Sequence, residues 1–148
     1  MNQNMQPASL DWRSIADVRL IALPHHTRSD GGVVVAEAPY VPFTVARMFA
    51  VTALLGTERG KHAHKFCSQF MVCVHGTIEI ICDDGADKRS FTLDRPNLAL
   101  LVPPTIWNTV IYRQEGAVLT VLCDRIYEPD DYFHEYSEFI AMRKAAGA

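Results

Sequence analysis

Residues 60–64 read Gly-Lys-His-Ala-His, and Gln69 and Gly76 follow them at short, defined distances. His62 and His64 are two positions apart, so on a β-strand both imidazoles point to the same face. In a small barrel that face can be the interior, where the two side chains would share one pocket. A histidine pair on a strand can also make purely structural hydrogen bonds, so the surrounding pattern decides between the two interpretations.

On both sides of this stretch the chain is a series of short apolar runs separated by turn residues. The runs are Val18–Leu23, Val33–Ala38, Phe43–Leu55, Phe70–Val74, Thr77–Cys82, Arg89–Leu93, Leu98–Val102, Thr105–Tyr112 and Ala117–Cys123. Asp83-Asp84-Gly85 has the composition of a hairpin turn, because Asp and Gly tolerate positive φ. Short strands at this spacing predict an all-β sandwich or barrel rather than a parallel α/β sheet.

The two ends of the chain have different patterns. Aromatic and apolar residues after position 130 recur at helical spacing, which predicts a C-terminal helix over residues 130–145 that packs against the barrel. The polar N-terminus, residues 1–14, is expected to be flexible. A length of 148 residues suits a single domain spanning residues 1–148.

Composition excludes several classes of function. The net charge of −3 gives no basic field for nucleic acid and no polybasic anchor for a membrane. The four cysteines form no CxxC pair and are expected to be buried free thiols of a reducing compartment. With no signal-peptide pattern and no apolar run of roughly 20 residues, we expect a soluble, cytoplasmic protein.

The spacing from His64 to Gln69 to Gly76 matches the first motif of the cupin superfamily, in which two histidines and a carboxylate bind a metal. The second motif, which ends in a histidine, corresponds here to residues 103–108. Gln69 therefore stands at the carboxylate position and Asn108 at the histidine position. Carboxamides are weak ligands for transition metals, so we expect an all-β, cupin-type double-stranded β-helix (a jelly-roll barrel) whose pocket works without metal or other cofactor.

Several further elements occur in a specific order along the chain. They are Arg59–Lys65, Gln69, Val72–Gly76, Asp83–Gly85, Leu93–Pro96, Val102–Trp107, Tyr127–Tyr132, Tyr136 and Phe139. Together these elements resemble the sugar-nucleotide 3,4-ketoisomerases of the FdtA/QdtA (WxcM-like) family. The similarity extends from about residue 33 to residue 139, which is most of the chain.

The resemblance implies a metal-free homodimer in which N-terminal strands are exchanged between subunits. Its members move the carbonyl of a dTDP-linked 4-keto-6-deoxyhexose to C3, on the route to 3-amino sugars of surface polysaccharides. Carried over by position, His64 is the expected base and His62 its partner in moving protons. The expected substrate-binding residues are Arg47, Arg59, Gln69, Trp107 and Asn108, with the arginines meeting the diphosphate or a developing oxyanion.

The sequence also departs from the family's pattern. Asn108 replaces a pocket histidine, and Phe49 and Ala50 replace paired tyrosines. These departures favour two alternatives: a cupin that binds sugar nucleotides without turnover, and a related sugar-nucleotide enzyme of altered specificity. A third alternative, a metal-dependent oxygenase or epimerase-like enzyme, is disfavoured by Gln69 and Asn108. Solvent-proton exchange at the sugar would exclude the first alternative, and bound metal would revive the third.

Overall fold

Within residues 9–148, which the computed structural model of the chain describes, the protein forms twelve β-strands and one α-helix. The strands are β1 (Arg19–Ala22), β2 (His25–Arg28), β3 (Gly31–Val34), β4 (Arg47–Thr52), β5 (Glu58–His64), β6 (Gln69–His75), β7 (Ile78–Asp83), β8 (Lys88–Leu93), β9 (Leu98–Val102), β10 (Trp107–Tyr112), β11 (Val118–Cys123) and β12 (Tyr132–Phe133). The helix, α1, is Tyr136–Ala145. No helix in this part of the chain has the length and apolar character needed to cross a membrane.

Ten of these strands form two five-stranded antiparallel sheets. The first sheet has the order β1-β9-β6-β11-β4, and the second has the order β12-β5-β10-β7-β8. From β4 to β7 and from β8 to β12 the chain passes to the opposite sheet at each step, so neither sheet is a simple meander. The strands β2 and β3 form a separate hairpin. This arrangement confirms the predicted cupin-type jelly roll with a C-terminal helix.

The core lies between the two sheets because alternate residues of each strand point inward. Ile78 and Ile80 of β7 face Leu119 and Val121 of β11, and all four belong to one buried cluster. Tyr112 of β10 reaches across the same space, and its hydroxyl donates to the backbone oxygen of Val51 at 2.9 Å. This hydrogen bond links the two sheets at a point where side chains leave part of the interior empty.

A β-bulge interrupts β5 where it pairs with β10. Asn108 pairs with His62 and Thr109 pairs with Gly60, so Lys61 is an extra residue. Gly60 and Lys61 both have positive φ, +75° and +55°. Such a bulge shifts the pairing by one residue, so side chains before and after it change the face of the sheet to which they point.

The segment before the helix differs from the prediction. Residues Pro129–Asp131 form a single 3-10 turn, and Tyr132 and Phe133 then pair with His64 and Ala63 of β5. The helix begins at Tyr136 rather than at residue 130, because the open edge of β5 offers backbone partners and aromatic residues suit a strand. The helix then packs Phe139 into an aromatic cluster with residues of β10 and β12.

The N-terminal residues that the structure describes lie against this cluster. Trp12 stacks on Phe133, with ring centroids 6.1 Å apart, and the backbone N–H of Arg13 donates to Thr105 Oγ1 at 2.8 Å. Residues 1–8, for which flexibility was predicted, lie outside the described part of the chain.

Candidate active site

A cavity of about 200 Å³ opens between the two sheets. Five of the seven residues that the sequence singled out line it: Arg59, His62, His64, Gln69 and Asn108. The rest of the lining is largely apolar and consists of Phe49, Val51, Gly60, Met71, Val110, Tyr112, Leu119, Val121 and Tyr132. Polar groups are thus few and are held within an apolar wall, as is usual for small-molecule sites.

The bulge in β5 explains why Arg59 shares this wall with the histidines. Positions 59 and 62 differ by an odd number, so a regular strand would place their side chains on opposite faces. With Lys61 as the extra residue, Arg59 pairs with Val110 and His62 pairs with Asn108, and both partners line the cavity.

The most buried ionisable contact of the site joins His64 to Asp131. His64 Nδ1 lies 2.7 Å from Asp131 Oδ2, and the two residues are 3% and 5% exposed. A carboxylate oxygen accepts hydrogen bonds, so His64 carries its proton on Nδ1 and has a free lone pair on Nε2. That Nε2 atom is buried and has no hydrogen-bond partner among residues 9–148. This arrangement is typical of a general base held in one tautomer by a carboxylate.

Asp131 is itself held in place. Its Oδ1 accepts from the backbone N–H of Phe66 at 2.7 Å. Burial alone would raise the pKa of Asp131, but hydrogen bonds from His64 and from the backbone outweigh it and lower the pKa. Sequence reasoning missed this role and assigned Asp131 to the start of a helix. The available signal is the position of Asp131 within the Tyr127–Tyr132 element that the family resemblance includes.

His62 lies beside this pair in a different environment. Its Nδ1 is 3.1 Å from the carbonyl oxygen of Gly60, and its ring is perpendicular to that of His64 with centroids 5.1 Å apart. Burial, followed by the neighbouring His64, lowers the pKa of His62 to about 4. His62 is therefore neutral near pH 7, with Nδ1–H donated to the carbonyl and Nε2 free to accept a proton.

Tyr132 lines the cavity beside the histidines, and sequence reasoning did not assign it to the site. Its ring centroid is 4.4 Å from that of His64 and 5.3 Å from that of His62. Burial raises the pKa of Tyr132 above its ordinary value, although Arg47 opposes the shift. Tyr132 therefore stays protonated and lies next to both histidines. It gives the site a phenol even though Phe49 and Ala50 replace the family's paired tyrosines.

Two predicted residues do not line the cavity. Arg47 lies beside it, with its guanidinium 3.6 Å from Cys123 Sγ and 5.4 Å from the Phe49 ring centroid. Trp107 points away, since it neighbours the inward-facing Asn108 on β10, and it packs on Tyr136 and Phe139 under α1. Its predicted role in substrate binding does not agree with this position.

The four cupin-motif positions do come together, but their donors do not fit a transition metal. Gln69 offers a neutral carboxamide oxygen, and Asn108 has its Nδ2 buried without a hydrogen-bond partner in the described part of the chain. Two imidazoles with no anionic ligand among the lining residues form a poor set for zinc, iron or nickel.

Another group of potential ligands, His64, Cys67 and Asp131, has its donor atoms within 4.8 Å of one another. Asp131 already accepts from His64 and Phe66, and a hydrogen bond shared with Cys123, together with burial, raises the pKa of the Cys67 thiol. This group is a hydrogen-bonded dyad beside a protonated thiol rather than a metal centre.

Comparison with known proteins gives a consistent set of relatives. The family FdtA, described as WxcM-like, C-terminal, matches residues 16–144. A TDP-4-oxo-6-deoxy-alpha-D-glucose-3,4-oxoisomerase from Aneurinibacillus thermoaerophilus is 34% identical over 108 residues, which are 72% of this chain and 78% of that protein.

Solved structures agree with the sequence matches. A 3,4-ketoisomerase from Helicobacter canadensis is 28% identical with a TM-score of 0.83, over 86% of this chain and 98% of that one. The sugar 3,4-ketoisomerase QdtA from Thermoanaerobacterium thermosaccharolyticum, in complex with TDP, is 25% identical with a TM-score of 0.86, over 91% and 100%. A histidine-to-asparagine variant of QdtA has been solved with TDP-4-keto-6-deoxyglucose.

Proposed function

The chain belongs to the FdtA family (WxcM-like, C-terminal), and on that premise we propose that it is a sugar-nucleotide 3,4-ketoisomerase. Its substrate is a dTDP-linked 4-keto-6-deoxy sugar, whose carbonyl it moves from C4 to C3. The observation that carries the proposal is the His64–Asp131 dyad, whose free Nε2 belongs to a cavity that His62 also lines.

The reaction needs one base for carbon and one route for a proton between two oxygens. His64 Nε2 removes the proton from C3, the C3–C4 double bond forms, and the electron pair of the carbonyl moves to O4. The O3 hydroxyl proton then passes to O4 through Nε2 of the neutral His62. C3 becomes the carbonyl carbon as C4 takes the proton back from His64, so all protons are conserved.

Asp131 supports both halves of this cycle. It keeps the lone pair of His64 on Nε2 before proton abstraction and stabilises the imidazolium that exists between the two transfers. Since the negative charge sits on substrate oxygens and the donors are organic side chains, the cycle runs without metal or other cofactor.

Arg59 and Arg47 are the proposed partners of the substrate diphosphate. Arg59 is exposed yet lines the cavity, which places it at the mouth. Arg47 lies beside the same cavity over Phe49 and Tyr127. A guanidinium at each place suits bidentate binding of phosphate oxygens while the sugar enters the apolar interior.

The deciding experiment is proton NMR of the protein with dTDP-4-keto-6-deoxyglucose in deuterated water. A 3-keto product with deuterium at C3 or C4 is expected, and His64→Asn should abolish its formation while leaving the fold and the ligand affinity largely intact. Unchanged turnover in His64→Asn would rule out the role of His64. Line broadening of the sugar signals without any exchange would instead favour a binding protein without catalysis.

We further propose that the protein is a cytoplasmic homodimer. The four cysteines Cys67, Cys73, Cys82 and Cys123 are all buried free thiols, as suits a reducing compartment. Exposed apolar residues on the outer face of the first sheet support the dimer.

A further inference from the structure

Three buried polar atoms of the cavity have no hydrogen-bond partner among residues 9–148. They are His64 Nε2, Gln69 Oε1 and Asn108 Nδ2, on residues that are 3%, 3% and 1% exposed. Buried polar groups in proteins are nearly always paired, so three orphaned atoms in one cavity indicate the polar pattern of its ligand.

The orientation of Asn108 follows from its contact with Gly60. A Cβ at position 60 would lie 2.9 Å from Asn108 Oδ1, so the carboxamide oxygen packs against the bare Cα of the bulge. The oxygen side of the amide is therefore occupied by protein, and the NH₂ group is the part left for a ligand. Asn108 presents a donor.

Gln69 presents the opposite polarity. Its Oε1 is the amide atom that is buried without a hydrogen-bond partner among residues 9–148. Gln69 therefore presents an acceptor to a ligand. Together with His64 Nε2, the cavity offers one base, one acceptor and one donor.

An α-hydroxyketone requires this combination of groups. It has an acidic C–H bond, a hydroxyl that donates and a carbonyl oxygen that accepts. We propose that Asn108 Nδ2 donates to the C4 carbonyl oxygen of the substrate and that Gln69 Oε1 accepts from the C3 hydroxyl, while His64 faces the C3 hydrogen. This assignment rests on the proposed ketoisomerase function and names the groups that recognise the oxygens of its substrate.

The two carboxamides differ in role from the charged groups of the site. They bind the oxygens but cannot carry a proton. The C3 hydroxyl donates to Gln69 Oε1 in the bound substrate and turns to His62 Nε2 when its proton passes to O4, so the transfers remain with the histidines. As the C4 carbonyl becomes an enolate, the growing negative charge on O4 strengthens the hydrogen bond from Asn108. Asn108 therefore stabilises the transition state more than the bound substrate.

The first test compares steady-state kinetics of Asn108→Asp and Gln69→Glu with Gln114→Glu. Gln114 lies in an exposed turn outside the cavity and serves as the matched amide-to-acid control. Asn108→Asp should lower kcat by about 10²–10³-fold, with a much smaller change in KM, because a carboxylate repels the oxyanion. Wild-type kcat in Asn108→Asp, with normal thermal unfolding, would overturn the assignment of Asn108.

The second test observes the amides directly by ¹H–¹⁵N NMR in the His64→Ala background, which prevents turnover without adding another carboxamide. The NH₂ signals of Asn108 and Gln69 are identified by their loss in Asn108→Asp and Gln69→Glu. The Asn108 signal should shift on saturation with TDP-4-keto-6-deoxyglucose and stay in place with TDP alone. An equal shift with TDP, or none with the keto sugar, would overturn the inference.

The two tests separate this inference from the proposed function. If the wild-type protein forms the 3-keto sugar but Asn108→Asp keeps its kcat and the amide signals stay in place, only the present assignment fails. If the wild-type protein neither binds nor converts the keto sugar, the proposed function fails and this assignment fails with it.

Discussion

His64 and Asp131 are 67 positions apart in the chain, yet their Nδ1 and Oδ2 atoms are 2.7 Å apart. Asp131 accepts two hydrogen bonds, one from His64 and one from the Phe66 backbone. Only a carboxylate can satisfy both donors, because a carboxamide has a single acceptor oxygen. The identity of residue 131 therefore controls which nitrogen of His64 is free.

Asp131→Asn is expected to lower kcat by about 10²–10⁴-fold while the protein still folds, since one of the two donors would then face an NH₂ group and His64 would lose its tautomer. Steady-state kinetics with the dTDP-linked keto sugar, alongside thermal unfolding, measure this. The exposed neighbour Asp130 gives the matched control Asp130→Asn, which should behave as wild type. An Asp131→Asn protein as active as that control would contradict the role of the dyad.

A second residue-scale prediction concerns pH and His62. Its pKa in the folded protein, about 4, lies below the ordinary value of 6.5. Between these values the unfolded chain binds a proton that the folded protein does not, so this contribution to stability is complete above pH 6.5 and is lost as the pH falls toward 4. We expect the free energy of unfolding to drop by on the order of 2 kcal/mol over this window, allowing for the partial exposure of His62.

Urea titrations of the wild type and of His62→Asn at several pH values measure this contribution. The variant should show a shallower decline between pH 6.5 and 4, because its side chain does not titrate. Parallel curves for the two proteins would show that His62 is not buried in its neutral form.

At the scale of elements, the bulge in β5 and the short strand β12 assemble the site. The bulge brings Arg59 to the face of the histidines, and β12 brings Asp131 and Tyr132 to the end of β5. The left-handed conformation of Gly60 is part of this geometry, and the space beside its Cα is filled by Asn108.

Gly60→Ala can be compared with Gly56→Ala, because the two glycines have nearly equal φ, +75° and +80°, but Gly56 has nothing within 4 Å of a new Cβ. Both variants should lose about 1–2 kcal/mol of stability from the left-handed backbone. Only Gly60→Ala should also lose kcat, by at least about tenfold, because its Cβ displaces Asn108. Denaturant titration and kinetics measure the two effects, and equal kcat in both variants would refute the importance of this contact.

At the scale of the whole molecule, the first sheet presents apolar side chains on its outer face. Met48 of β4 and Val74 of β6 are 65% and 46% exposed. Burial of such a patch between two copies would remove apolar area from water, which is the main driving force of stable association.

We expect the wild type to have twice the chain mass by light scattering and Met48→Glu to shift it toward the monomer. Met142→Glu, which places the same charge on α1 at a methionine that is 41% exposed, should remain dimeric. A monomeric wild type, or a dimer that tolerates Met48→Glu, would rule out this face as the interface.

Short-range patterns predicted an all-β sandwich or barrel, and the cupin motif narrowed it to the jelly roll that the structure shows. The two histidines and two carboxamides of that motif line one cavity, as their spacing predicted. Alternation along β7 and β11 predicts strands, and the two-residue spacing of His62 and His64 predicts a shared face. Sequence reasoning did not recover the start of α1 at Tyr136 or the outward position of Trp107. The first depends on the open edge of a distant strand, and the second on which face of β10 meets the helix.

By itself, then, the sequence determined the fold class and the residues that one strand can present together, because strand periodicity is a local property of the chain. Only the tertiary structure decided that Arg59 joins the histidines and that Asp131 fixes the tautomer of His64. The first needs a bulge that reverses the parity of β5, and the second needs β12 to pair with β5 across 67 positions of chain. Both are products of strand pairing, which depends on which distant segments meet in the folded sheet.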